Sequence, residues 1–152
     1  MGYEILVRPE RCISCYACEV ACAREHGGIS NVRVYPPGIP IFCRQCQGAT
    51  CAEVCYPGAL ERRDGEVLLH AEKCTGCELC LLACPFGAIK LEGKRAYKCD
   101  LCSHRREEGL LPACVLTCPA GAMNFSCVAD FSSRKRKIAG LSWAMGHERR
   151  GK

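Results

Sequence analysis

Apolar residues along this chain gather in short runs, each too brief for a large core element. Tyr3-Glu4-Ile5-Leu6-Val7 is a β-type run ended by Pro9. Ala59-Leu60-Glu61-Arg62, the tight pair Asp64-Gly65, and Val67-Leu68-Leu69-His70 predict a β-hairpin. Ala88-Ile89-Lys90-Leu91, Glu92-Gly93 and Arg95-Ala96-Tyr97 predict a second of the same design. Glu19-Val20-Ala21 suits one helical turn, which continues through Arg24 and Glu25 until Gly27-Gly28 breaks it. Tyr35-Pro36-Pro37-Gly38-Ile39-Pro40 is too proline-rich for a central strand and reads as a stiff surface connection, with a docking loop as the alternative. From Ser132 onward a helical tail is expected. Ile138, Leu141 and Met145 share one face behind the basic run Arg134-Lys135-Arg136-Lys137, which suits a partner protein or an acidic surface. No stretch reaches the ~18 consecutive apolar residues of a transmembrane segment.

Composition sharpens this picture. The chain has 152 residues, enough for one domain or two very small ones, and only 7% of them are aromatic. Seventeen are cysteine, above the roughly 8–10% that signals cross-linking or metal. A secreted disulfide scaffold needs a secretory route, and residues 1–12 show no apolar h-region, cleavage pattern or paired arginines. The expectation is therefore a cytoplasmic protein whose thiols bind metal, with metal bonds replacing the missing core.

Cysteine spacing narrows the chemistry. Group three, Cys74-x2-Cys77-x2-Cys80-x3-Cys84-Pro85, lets three thiolates fold over three corners of a cubane iron–sulfur cluster while the fourth is carried on a helical turn to another cluster. Group one is Cys12-x2-Cys15-x2-Cys18-x3-Cys22, without a following proline. Group two is Cys43-x2-Cys46-x4-Cys51-x3-Cys55, where Tyr56 intervenes before Pro57. Group four is Cys99-x2-Cys102-x11-Cys114-x3-Cys118-Pro119, with an insert at 103–113 rich in charge. Pro-x-Gly-Ala after groups three and four, and the similar Pro57-Gly58-Ala59 after group two, mark an internal repeat.

Zinc uses C-x2-C pairs constantly, but around one tetrahedral ion a third cysteine at x2 and a fourth at x3 are superfluous. A cysteine-rich zinc scaffold that binds proteins or nucleic acid is thus the rival of another class. Crossing fourth cysteines require the groups to work in pairs. Sixteen cysteines make four complete sets and leave no iron open to substrate, and no Ser-His-Asp set, phosphate loop or flavin fingerprint is evident. The formal charge of +5 counts cysteine as neutral. Sixteen thiolates and four oxidised cores would bring the loaded chain to about −3, so the basicity is no argument for nucleic acid.

Groups two to four resemble the four-cluster ferredoxin-like subunits of multi-subunit oxidoreductases. The most specific part is Lys98-Cys99-Asp100-Leu101-Cys102…Arg105…Gly109…Pro112-Ala113-Cys114-Val115…Cys118-Pro119, and the resemblance spans residues 4–125. It implies an α+β fold of two interlocked bacterial-ferredoxin-like modules, each binding two [4Fe–4S] clusters, in a domain 1–131 followed by the tail 132–152. Groups two and three would form one module, groups one and four the other. The implied ligand sets are Cys12, Cys15, Cys18 and Cys118; Cys22, Cys99, Cys102 and Cys114; Cys43, Cys46, Cys51 and Cys84; and Cys55, Cys74, Cys77 and Cys80. Some relatives replace a group-three cysteine and hold a three-iron cluster; Cys77 is kept here, so four cubanes are expected.

The resemblance further implies a non-catalytic subunit relaying single electrons between a catalytic partner and a second redox partner. The catalytic partner would be a molybdenum or tungsten enzyme, carbon monoxide dehydrogenase or a hydrogenase. A free diffusible polyferredoxin is the rival within the class, and self-association into longer electron chains is a further option. Cys127, the odd cysteine, is expected as a small apolar side chain beside the sheet rather than a reserve ligand. His26, His70, His104 and His147 share no ligand spacing and are expected as surface histidines, with cluster tuning by hydrogen bonding the alternative for His104, near Cys102. Trp143 is expected to pack the tail helix.

Overall fold

Every strand in this computed structural model, which describes residues 3–148 and side chains through Trp143, belongs to a two-stranded antiparallel sheet. In chain order the elements are β1 (Glu4–Val7), α1 (Ala17–Glu25), β2 (Arg33–Tyr35), β3 (Ile39–Ile41), α2 (Thr50–Glu53), β4 (Leu60–Arg63), β5 (Glu66–Leu69) and α3 (Leu79–Ala83). They continue as β6 (Ile89–Glu92), β7 (Arg95–Lys98), α4 (Ser103–Glu107), α5 (Ala113–Leu116), β8 (Met123–Ser126) and α6 (Val128–Glu148). The mixture of small sheets and short helices agrees with the expected α+β class. None of the helices among the described residues is long and apolar enough to cross a membrane.

Both expected hairpins form. In β4–β5, Arg63 faces Glu66 across Asp64 and Gly65, which both have positive φ and make the primed turn that suits strand twist. In β6–β7, Glu92 faces Arg95, so the turn falls on Gly93-Lys94, one residue later than the sequence pattern placed it. The stretch 35–40 is not simply a connection: β2 pairs with β3, and Pro40 sits opposite Val34. A two-stranded ribbon has only edge strands, so a proline without an N–H is tolerated there.

The strand β1 pairs along its length with β8, Ile5 opposite Phe125, so the start of the chain lies beside the segment that follows group four. Helix α1 packs on α5, and α2 packs on α3. Two apolar clusters result. One gathers Ile5, Val32, Val34, Phe42, Leu101 and Met123 with the sulfurs of Cys18, Cys22, Cys43, Cys99 and Cys114. The other gathers Leu60, Val67, Ile89 and Ala96 with Cys51 and Cys80. Cysteine thus supplies much of what large aliphatic residues supply elsewhere.

The insert at 103–113 clasps the rest of the molecule. Arg106 makes a bidentate pair with Glu66 of β5, both bonds 2.8 Å, and Arg105 Nη1 donates to Glu25 of α1 at 2.7 Å. Planar guanidinium suits such two-point contacts. The helix α6 begins at Val128, earlier than the tail expected from Ser132, and touches β1. Ile138 and Leu141 on it are exposed, while Met145 and His147 lie outside the residues whose side chains are described.

Gly76 shows how tightly the hairpin β6–β7 covers group three. A Cβ at this position would lie 2.8 Å from the backbone oxygen of Lys94, and its φ of +71° is left-handed. Gly65, with φ of +88°, has open space around it. Gly76→Ala is expected to lose stability by more than the ~1–2 kcal/mol of a left-handed L-residue, and Gly65→Ala by about that amount alone. Anaerobic thermal unfolding of the two variants checks this; equal losses would mean that the Lys94 contact yields freely.

Candidate iron–sulfur sites

Three cavities are each lined by four thiols, and in each the fourth thiol comes from a different group. Cys12, Cys15, Cys18 and Cys118 line one. Cys43, Cys46, Cys51 and Cys84 line another. Cys55, Cys74, Cys77 and Cys80 line a third. Cys22, Cys99, Cys102 and Cys114 are all buried, and the electrostatic surroundings of the Cys114 thiol include Cys99, Cys102 and Cys22. None of the seventeen cysteines forms a disulfide.

The backbone explains how such short loops turn three sulfurs inward. In the first C-x2-C segment of each of the four groups the residue before the second cysteine is left-handed: Ser14 (φ 52°), Gln45 (49°), Gly76 (71°) and Leu101 (57°). Only one of the four is glycine, so three positions hold a conformation that an L-residue avoids unless its surroundings enforce it. The short helices then raise the last cysteine of each group. Groups two, three and four close in the same turn: Gly58, Gly87 and Gly121 are left-handed and donate to the carbonyls of Cys55, Cys84 and Cys118.

That turn aims a backbone N–H at sulfur. Ala88 N–H donates to Cys84 Sγ at 3.4 Å, Ala122 N–H to Cys118 Sγ at 3.3 Å and Leu60 N–H to Cys55 Sγ at 3.3 Å. In group two Tyr56 takes the place next to the cysteine that proline holds in the other two, Pro57 follows it, and the donor is Leu60, five residues after Cys55 rather than four. Group one has no proline, α1 runs on, and Asn31 N–H takes the same role toward Cys22 Sγ at 3.2 Å. Hydrogen bonds of this kind stabilise negative charge on a metal-bound sulfur.

Burial sets the electrostatics. It pushes the Cys18 thiol up to about 11 and the Cys99 thiol up to about 12, and it raises Cys114 as well. Thiolates in such surroundings need a positive centre among them. Converging soft donors, apolar walls and N–H groups aimed at sulfur fit an iron–sulfur core.

The comparisons with known proteins agree with this chemistry. The family profile described as 4Fe-4S dicluster domain matches residues 37–128. A ferredoxin of Methanocaldococcus jannaschii is 41% identical over 119 residues, covering 78% of this chain and 76% of that protein. The protein named "Iron-sulfur protein" of Rhodospirillum rubrum is 35% identical over 174 residues, covering 94% and 92%. Electron transport protein HydN of Escherichia coli is 35% identical over 176 residues, covering 93% and 99%. The chain belongs to the 4Fe-4S dicluster ferredoxin family. It is an iron–sulfur protein of electron transfer, and its cofactors are [4Fe–4S] clusters.

Within this ferredoxin the histidine against a ligand-group sulfur is His26, not His104. His26 Nδ1 lies 3.7 Å from Cys22 Sγ and 2.8 Å from the Cys22 carbonyl, and Nε2 lies 3.0 Å from Asp100 Oδ1. His104 meets His26 edge-on and bonds Glu25 instead. The spacing of four residues from Cys22 on one helix was the available signal. Asp100 in turn accepts from the N–H of Cys102 and from Ser103 Oγ, so it fixes the Cys99–Cys102 loop as well. His70 pairs with Glu61 and Glu72. Cys127, directly after β8, is half-buried, and its Sγ accepts from Asp130 N–H at 3.4 Å at the start of α6. Trp143, on α6, is 76% exposed.

The Asp100 hydrogen bond, with Cys22 adding to it, raises His26 to about 11, and burial opposes the shift. For Asp100 burial opposes ionisation, but the His26 contact holds the carboxyl far below its ordinary range. A raised histidine adds stability in full below its unfolded value near ~6.5, and the contribution fades as pH climbs toward the folded value. His26→Gln is therefore expected to be most destabilising near pH ~5–6, with the gap to the unaltered protein narrowing through pH ~9–10. Denaturant titrations across that range check this; a gap that widens with pH would refute the pairing.

Proposed function

We propose that the chain is the electron-transfer subunit of an oxidoreductase complex. It carries four [4Fe–4S] clusters and relays single electrons between a catalytic subunit and a second redox partner, with no catalytic centre of its own. The partner is of the molybdenum, tungsten, carbon monoxide dehydrogenase or hydrogenase kind. The ligand sets are Cys12, Cys15, Cys18 and Cys118; Cys22, Cys99, Cys102 and Cys114; Cys43, Cys46, Cys51 and Cys84; and Cys55, Cys74, Cys77 and Cys80. The observation that carries this reading is the convergence of three neighbouring thiols and one distant thiol on each of three separate cavities.

When bound, each cluster supplies a centre that accepts and returns one electron. The chain's contribution is to hold the irons by thiolate, aim N–H groups at the sulfurs and keep water away with apolar walls. With all four thiols of a set engaged, no iron position is left for substrate. The contacts of α2 with α3 support one module of groups two and three. Those of α1 with α5 and of β1 with β8 support the other. The two interlock within 1–131, and 132–152 is the tail. Cys15 and Cys77 are exposed and belong to different sets, which supports electron entry and exit at separate faces.

Protein purified without air is expected to hold about sixteen iron with matching sulfide. Zinc in place of iron would overturn the reading. Native mass measurement is expected to find the chain with a larger redox subunit; the chain alone would favour a diffusible carrier. Cys84→Ser is expected to alter the spectroscopic signal of the site built by Cys43, Cys46 and Cys51 rather than that of Cys74, Cys77 and Cys80. The reverse would sink the crossed pairing.

A further inference from the structure

Lys98 is one of the few buried charges in the chain. It is 5% exposed, at the end of β7 and directly before Cys99. Its Nζ donates to the Val67 carbonyl and, at 2.8 Å, to the Cys99 carbonyl. Both acceptors are neutral, and among the described residues none of the ion pairs includes Lys98. An ammonium held this way has no carboxylate to balance it. Buried charges are retained when something of opposite sign stands nearby.

Gln45 closes the arrangement. It too is buried; its Nε2 donates to the Cys99 carbonyl at 2.9 Å and its Oε1 accepts from Val67 N–H at 2.8 Å. Gln45 lies between Cys43 and Cys46, so this network ties the group-two loop to the first cysteine of group four. The ammonium is positioned to act on both. Burial raises the Cys43, Cys51 and Cys99 thiols, and in each case the Lys98 charge pulls the other way.

We propose that Lys98 is the fixed counter-charge shared by two of the cluster sites, those of Cys43, Cys46, Cys51 and Cys84 and of Cys22, Cys99, Cys102 and Cys114, and that it raises the reduction potential of both. This rests on the four-cluster reading above. Lys98 is a positioning residue and ligates nothing. Reduction adds one electron to a centre already surrounded by thiolates, with no bond made or broken. A nearby cation favours that step, and poor solvent access leaves the attraction weakly screened. The Lys98 and Gln45 bonds also hold the two ligand loops at a fixed separation.

The test is a mediated dithionite titration of the anaerobic protein followed by electron paramagnetic resonance, with iron counted in every sample. Lys98→Met, similar in length and neutral, is expected to keep the full iron content. Two of the four reduction steps should become at least tenfold less favourable, a downward shift of 59 mV or more for one electron, while the other two stay in place. Lys98→Arg is expected to restore both steps. Gln45→Glu neutralises the ammonium by pairing with it and is expected to lower the same two steps, so the question is still decided if Lys98→Met fails to load. Unchanged potentials in an iron-replete neutral variant, or an equal shift of all four steps, would overturn the proposal. A shortage of iron in the unaltered protein would instead count against the four-cluster reading.

Discussion

Sulfur atoms from distant parts of this chain meet around shared cavities, and the rest of the architecture depends on that meeting. The sheets are two strands wide, and most of the helices are one or two turns long. Hairpins and single helical turns of this size are marginal by themselves. What joins them is the reach of one cysteine per group into territory held by another. Cys118 closes a cavity otherwise built by group one, and Cys84 closes one built by group two. Apolar contacts such as Ile5 and Met123 in one cluster and Leu60 and Ile89 in the other fill the gaps between these junctions.

The cost of placing so many sulfurs together appears in the backbone and in the electrostatics. Ser14, Gln45 and Leu101 hold left-handed conformations without being glycine. Buried thiols are pushed toward the neutral form, most strongly around Cys99 and Cys114. The answer to both is local and repeated. A turn after each of the last three groups points an N–H at the sulfur, and Asn31 does so for the first. Cationic groups stand close by: His26 against Cys22, and Lys98 between the group-two and group-four loops. A carrier gains from this, because the same contacts that make a thiolate tolerable also favour an added electron.

Much of this was legible in the order of residues because cluster-binding loops impose strict spacing. The four cysteine groups, both hairpins and the halt of α1 before Gly27-Gly28 follow from local pattern alone; which group's cysteine lines which cavity does not. The left-handed positions were hidden, since only Gly76 advertises itself. The arginine clasp of Arg105 and Arg106 was equally hidden, because its acceptors Glu25 and Glu66 are far away in sequence. Nearness in sequence to Cys102 singles out His104, but the histidine at a ligand-group sulfur is His26, which α1 brings over Cys22 four residues before it. The contact of Cys127 with the first turn of α6 was hidden as well, because the start of that helix four residues ahead of Ser132 carries no local signal.

Diffraction from anaerobically grown crystals at the iron absorption edge would test the central claim most directly. Four compact groups of anomalous scatterers are predicted, each enclosed by three cysteines of one group and a single cysteine of another. Isolated single-ion peaks, or iron groups enclosed by the four cysteines of one group alone, would contradict the account.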